Sequence, residues 1–273
     1  MIMKHQLLQT NKIRLIDHSK PEEAEIISSF ATDDALCLSV SETKQLTMRY
    51  WVHRPTIVLG IPDSRLPYLS EGTSYLKELG YEVMVRNSGG LAVVLDKGIL
   101  NISLIFADSK SYNLHDGYDA MVDFIDFVFS DMGLKIEAYE ITASYCPGSY
   151  DLSVDGKKFA GISQRRVKNG SAVQIYLCVE GSGSERANHL KAFYQKSLKN
   201  STTKFTYPTI DPSVMISLEE LTNQSFSVQE TIDMIERKLE GHEVKLKKDE
   251  LTEKEFAWFE QRLKLMNKRN QHI

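Results

Sequence analysis

Apolar positions recur along the chain in two rhythms, one of about 3.6 residues and one of two. Over residues 21–30, Ala24, Ile26, Ile27 and Phe30 fall at helical spacing behind a proline and two glutamates suited to a first turn, which predicts a surface helix. A second helix is expected to start at Thr32-Asp33-Asp34 and to carry Ala35, Leu36, Leu38 and Val40, with Cys37 beside its apolar face. Helices are also predicted over 68–79, stopped by Gly80, and over 116–132, where Met121, Phe124, Ile125, Val128 and Phe129 share one face and Gly133 closes the run. The same spacing predicts helices over 184–198, 227–239 and 252–267. Aromatic, β-branched or alternating segments predict strands over 49–59, 81–86, 92–95, 100–106, 135–139, 150–154, 158–166 and 171–179. Asp155-Gly156 and Asn169-Gly170 are two-residue hairpin signals between the last three.

Strands in runs with helices between the runs point to an α+β fold, a mostly antiparallel sheet with flanking helices. A polar stretch at 200–204 followed by Pro208 and Pro212 is the expected boundary, dividing residues 1–207, with a core at about 36–198, from a C-terminal helical extension at 208–273.

Composition narrows the function classes. The chain has 273 residues, 42% of them apolar, and a net charge of -4, so a general nucleic-acid binder with its basic excess is not expected. The three cysteines, Cys37, Cys146 and Cys178, contain no CxxC pair, and neither a disulfide framework nor a zinc or other metal site is expected. Lys4, Lys12 and Arg14 interrupt the first residues, which argues against a signal peptide. The most apolar region, 90–107, is broken by Asp96, Lys97 and Asn101 and cannot be a membrane span. A cytoplasmic protein is expected.

Three segments could carry chemistry. In Arg86-Asn87-Ser88-Gly89-Gly90, paired glycines between strands form either a tight turn or a loop that brings backbone N–H groups close to a ligand. Cys146 lies in a polar loop, Ser144-Tyr145-Cys146-Pro147-Gly148, with little core to hide in, whereas Cys37 and Cys178 sit among apolar neighbours and read as packing residues. In Gly156-Lys157-Lys158-Phe159-Ala160-Gly161, period two places Lys158, Ala160, Ile162 and Gln164 on one face and Phe159, Gly161 and Ser163 on the other. The small residues allow close approach by a ligand, and Lys158 is either a solvated strand start or a cation facing that approach.

Taken together, over roughly residues 36–198, these segments resemble the lipoate/biotin protein ligase catalytic family. Arg86 to Gly90, followed by Ala92-Val93 and Asp96-Lys97-Gly98-Ile99-Leu100-Asn101, is similar to the family's lipoate-binding loop. Tyr150-Asp151-Leu152 through Gly161 is similar to its Asn-Asp-Leu…Gly-Lys-Lys-x-x-Gly block. Leu91 and Leu95 stand where the ATP-using ligases usually have a third glycine and a histidine, and Tyr150 replaces their asparagine. With Cys146 just upstream of that block, the resemblance narrows to the cysteine-dependent octanoyltransferase branch, and Ser-Tyr-Cys-Pro-Gly and Phe-Ala-Gly-Ile-Ser-Gln-Arg-Arg look most like its amidotransferases.

The resemblance implies that residues 1–207 form an acyltransferase catalytic domain working in lipoate assembly. Cys146 would be the nucleophile, carrying octanoyl as a thioester. Lys158 would favour the thiolate and polarise the acyl carbonyl, and Arg86, Ser88, Gly89, Gly90 and Gly161 would bind substrate. The donor would be octanoylated glycine cleavage H protein and the acceptors lipoyl domains of 2-oxoacid dehydrogenase E2 subunits. The alternative donor is octanoylated acyl carrier protein. No cofactor is implied, because donor and acceptor are both lysine amides. Val93, Leu95, Ile102 and Leu104 are either tunnel lining or plain sheet core, and Arg165, Arg166 and Lys168 either a solvated hairpin or a contact for acidic lipoyl domains.

Overall fold

The alternating segments pair into two sheets in the computed structural model, which describes residues 2–20 and 26–273. Residues 21–25 of the first expected helix therefore lie outside the described residues. The strands are β1 (Lys12–His18), β2 (Thr47–Trp51), β3 (Thr56–Leu59), β4 (Glu82–Val85), β5 (Val93–Leu95), β6 (Ile99–Phe106), β7 (Glu137–Ala138), β8 (Asp151–Val154), β9 (Lys157–Val167), β10 (Gly170–Cys178) and β11 (Lys245–Lys248). The helices are α1 (Ser28–Thr43), α2 (Leu69–Glu78), α3 (Leu114–Phe129), α4 (Gly183–Leu198), α5 (Leu218–Thr222), α6 (Val228–Glu240) and α7 (Glu253–Asn270). The large sheet runs β11-β1-β2-β6-β10-β9-β8-β7, and a smaller one runs β4-β3-β5. Within the large sheet the pairings along β2-β6-β10-β9-β8-β7 are antiparallel and β1 pairs in parallel with β2 and β11, while in the small sheet β3 pairs in parallel with β4 and antiparallel with β5. The expected α+β architecture with a mostly antiparallel sheet is what forms.

Several elements differ from expectation for identifiable reasons. Helix α1 is continuous, so Thr32-Asp33-Asp34 lies inside it and is no start. Asp33 is buried because Arg49 of β2, Ser103 of β6 and Gln174 of β10 all donate to its carboxylate, at 2.8, 2.6 and 2.6 Å. Asp34 pairs with Arg165 at 3.0 Å. Two carboxylates thus pin the helix across the sheet, where apolar spacing alone suggested a boundary. The expected strand 49–59 is two strands in different sheets, β2 and β3, separated around Pro55, which has no N–H for a ladder.

Strand β1 was not expected at all. Its central residues Ile13, Arg14, Leu15 and Ile16 are buried, but Arg14 breaks the apolar pattern. The burial is tolerated because the Arg14 guanidinium meets both oxygens of Glu255, at 2.5 and 2.8 Å. Burial opposes ionisation of Glu255, yet the Arg14 hydrogen bonds prevail and hold its carboxyl at about 2. That pair fastens α7 beside α1 and the sheet. Residues 208–273, expected as a helical extension, thus also supply an edge strand of the large sheet, β11, in the charged stretch 243–248.

The Asp155-Gly156 turn forms as expected, with positive φ at both residues (49° and 74°). The next hairpin turns one residue earlier than expected, at Lys168-Asn169, and Gly170 opens β10. Gly170 is small for a different reason: a Cβ there would stand 2.1 Å from the Cys37 carbonyl oxygen of α1. The large core packs one face of the sheet against α3 and α6, and a second core joins the small sheet to α2 and α4.

Candidate active site

The two cores meet at a cavity of about 330 Å3. Trp51, Val93, Leu95 and Ile175 give it apolar walls, and Arg86, Gly89, Gly90, Cys146 and Gly161 line it too. That size lies at the low end of the range of small-molecule sites, roughly 300–1,000 Å3. Val93 and Leu95 therefore face the cavity, whereas Ile102 and Leu104 belong to the α3 side of the sheet, because alternation along β6 turns Asn101 toward the cavity instead.

Cys146 is half-buried with φ of 46°, a left-handed conformation unusual for a residue with a Cβ. The loop holding it is tied at both ends by one side chain. Asp151 accepts from the N–H groups of Ile141 and Gly148, at 3.1 and 3.2 Å, and its other oxygen pairs with Lys158 at 2.8 Å. Burial pushes the Asp151 carboxyl up despite the facing ammonium. Lys158, fully buried, also donates to Ser144 Oγ at 3.1 Å and to the carbonyls of Tyr145 and Cys146, both at 3.0 Å. The rings of Tyr145 and Tyr176 lie 5.8 and 5.9 Å from its Nζ. From the C-terminal segment, Asp211 N–H donates to Ala143 O and Ile216 N–H to Lys158 O, at 2.8 and 3.0 Å.

Lys158 reaches this point through a β-bulge. Ser153 pairs with Lys158 and Leu152 with Ala160, so Phe159 is the extra residue. Phe159 and Ala160 both enter the large core, and Lys158 comes to the side of Gly161, where a Cβ would lie 3.4 Å from Lys158 Cε and 2.7 Å from Tyr176. The uninterrupted alternation expected for this strand, with Lys158 and Ala160 sharing a face, does not hold.

The donors on the Cys146 sulfur come from the other glycine-rich segment. Leu91 N–H donates to Sγ at 3.1 Å and Arg86 Nη2 lies 3.4 Å from it, while the same Nη2 donates to Leu91 O at 2.8 Å. Lys158 thus engages the backbone of the cysteine loop, and the guanidinium of Arg86 is the cation at the sulfur. Ser88, expected as a binding residue, is buried outside the cavity lining, and its hydroxyl has no partner among the described residues. The other two thiols are enclosed: burial pushes Cys37 well up and Cys178 to about 11. Arg165 is committed to Asp34, and Arg166 to the carbonyls of Ser109 and Asn113, so two of these three basic residues serve the fold and are neither a plainly solvated hairpin nor free to meet a partner. Among the described residues no cluster of His, Cys, Asp or Glu could hold a metal ion, and no helix is long and apolar enough to cross a membrane.

Gly90 makes this geometry possible. Its φ is 101°, and a Cβ there would stand 2.3 Å from Arg86 Nη2 and 2.9 Å from Cys146 Sγ. Gly90→Ala is expected to displace both groups and, since a misplacement near 1 Å costs on the order of 100-fold, to slow alkylation and acylation of Cys146 on that scale. At Gly89 a Cβ would meet nothing within 4 Å, so Gly89→Ala should cost far less. Equal losses in the two variants, measured by iodoacetamide kinetics, would remove the steric argument.

The fold is that of the lipoate-protein ligases. A crystal structure of lipoate-protein ligase A bound with ATP superposes with a TM-score of 0.69 at 18% identity, covering 93% of this chain and 94% of that one. A lipoate protein ligase from T. acidophilum with bound lipoic acid gives 0.66 at 17%, covering 92% and 93%. The sequence matches the lipoyl protein ligase A/B catalytic domain over residues 25–240, and the chain belongs to that family. Among its relatives, a protein of Oceanobacillus iheyensis is 48% identical over 97% of this chain and 98% of its own length, and one of Macrococcus caseolyticus is 54% identical over 81% and 80%. Both are named octanoyl-[GcvH]:protein N-octanoyltransferase.

Proposed function

We propose that the chain is an acyltransferase of lipoate assembly, moving octanoyl from the octanoylated glycine cleavage H protein to lysines of E2 lipoyl domains through a thioester on Cys146. The observation that carries this reading is a half-buried cysteine with two hydrogen-bond donors on its sulfur, opening on a mostly apolar cavity. Full-length similarity to octanoyltransferases supplies the donor class. In this reading Cys146, as thiolate, attacks the carbonyl carbon of the octanoyl-lysine amide. Arg86 and the Leu91 N–H hold the sulfur, and the C8 chain lies against Trp51, Val93 and Leu95. Lys158 and Asp151 fix the cysteine loop, and Gly161 leaves room beside them. A free thiol at this site suits a reducing, cytoplasmic setting.

Donor and acceptor bonds are alike, so the exchange is nearly balanced and needs no adenylate. The test is intact-mass analysis after incubation with octanoylated H protein or octanoylated acyl carrier protein. A single octanoyl adduct on Cys146 from the H protein, discharged by a lipoyl domain, is expected. Labelling from acyl carrier protein alone would reject the proposed donor.

A further inference from the structure

An amide gives up its amine only if the nitrogen is protonated as the C–N bond breaks, so a thiolate and an anchored carbonyl do not complete the reaction. We propose that His115 is the acid that protonates the departing lysine of the donor and the base that later receives a proton from the acceptor lysine. This rests on the Cys146 acyl-enzyme reading.

The titratable groups lining the cavity are few, and chemistry removes the others. Arg86 does not release a proton at any ordinary pH. Asp151 is held by Lys158 and two backbone N–H groups, so both its oxygens are engaged. Burial drives Tyr176 well up and raises Tyr118, and burial with the facing Asp119 carboxylate pushes Tyr150 up to about 12. Phenols so weakly acidic are poor proton donors to a departing amine near neutral pH, and in their neutral form they are no base for the acceptor. Cys146 is the nucleophile. His115 remains, and histidine is the side chain whose ordinary range allows both roles.

Its setting is built. The His115 N–H donates to the Asn113 cap at 2.7 Å, Asp116 closes the capping box, and Arg166 grips the Asn113 carbonyl at 2.6 Å. His115 Nδ1 is 3.0 Å from the Tyr150 hydroxyl, four residues beyond Cys146, and Tyr118 stacks on Tyr150 with ring centres 4.6 Å apart. With Nδ1 engaged, Nε2 is left to exchange protons with a substrate. The charged groups around it are Arg86, which lines the same cavity, Asp116 on the same turn of α3, and Asp119, whose charge reaches Tyr150.

The steps balance. Thiolate attack on the amide carbon gives a tetrahedral intermediate. The C–N bond then breaks as protonated His115 passes Nε2–H to the nitrogen, leaving a thioester, neutral His115 and a lysine amine that takes its second proton from water. The acceptor ammonium first loses one proton to water. Its amine attacks the thioester carbon and gives a second proton to Nε2 as the C–S bond breaks, restoring thiolate and imidazolium.

His115→Gln keeps a polar group beside Tyr150 but cannot exchange the proton. It is expected to slow acylation of Cys146 by octanoylated H protein about 100-fold or more, the usual scale of acid–base catalysis. Acylation by p-nitrophenyl octanoate, whose nitrophenolate leaves unprotonated, should be unchanged. The alkaline fall in the rate with the amide donor should also vanish in the variant. Equal losses with both donors would show a structural role and overturn the assignment, as would an undiminished rate with the amide donor. No octanoyl adduct on the wild-type protein from either donor would instead overturn the acyl-enzyme reading itself.

Discussion

Cys146→Ala is expected to lower octanoyl transfer by on the order of 10⁴-fold or more, the scale on which enzymes lose activity when a covalent nucleophile is deleted. No neighbouring thiol can stand in for it. Cys37 lies on the face of α1 that packs against the sheet and Cys178 is buried with Arg186 Nη1 3.0 Å from its sulfur, and burial pushes both thiols up, away from the reactive anion. Of the nearby hydroxyls, Ser144 Oγ is held by Lys158, Ser163 Oγ donates to Gln174 and Ser88 lies outside the cavity. The loss should therefore appear wholly in the formation of the acyl-enzyme. Because Lys158 holds the main-chain carbonyls of 145 and 146 and not the sulfur, the loop should keep its shape and the thermal midpoint should stay near that of the wild type. Intact-mass spectra after exposure to octanoylated H protein are the measurement. An octanoyl adduct on the variant, or transfer at the wild-type rate, would eliminate the thioester and favour a direct exchange between the two carrier lysines.

What could be read from the sequence was local. The glycine pair after Arg86, the cysteine next to a proline and the Lys-Lys-x-x-Gly run each signal themselves within a few residues, and the strands around them follow from alternation. What escaped was set by partners distant in sequence. Strand β1 was hidden because Arg14 breaks its pattern and is buried only through Glu255, 241 residues away. Asp33 and Asp34 read as a helix start because their partners Arg49, Ser103, Gln174 and Arg165 lie on four different strand positions. The cation at the sulfur was expected to be Lys158, twelve residues from Cys146, yet the folded chain brings Arg86 from sixty residues away. One inserted residue at the β8–β9 bulge changes which face Lys158 occupies, and no composition rule marks where a bulge falls. His115 gave no motif, and Tyr150 stood out only as a departure from the family's asparagine. Their relation to Cys146 exists only where the start of α3 meets the loop before β8.

Lys158→Met should have the largest effect on stability and should separate two roles for the lysine. Removing one partner of a buried pair leaves the other uncompensated, which typically costs about 3–5 kcal/mol, here together with three further hydrogen bonds to the cysteine loop. The cost should depend on pH in a defined sense. Burial already raises the Asp151 carboxyl, and without the ammonium it must rise further, so the folded variant binds a proton that the unfolded chain has released. Its deficit should therefore be smallest near and below pH ~4, where an exposed aspartic acid is protonated, and grow as pH rises from there. Adding Asp151→Asn should remove that pH dependence and recover part of the stability, but not the activity, because the asparagine oxygen can still accept from the Ile141 and Gly148 N–H groups whereas methionine offers the carbonyls of Tyr145 and Cys146 no donor. Urea titrations of the single and double variants between pH 4 and 8, with iodoacetamide rates beside them, provide the check. If Lys158→Met left stability and the loop intact while slowing alkylation at neutral pH alone, the lysine would be acting on the sulfur, and the division of labour between Lys158 and Arg86 would be reversed.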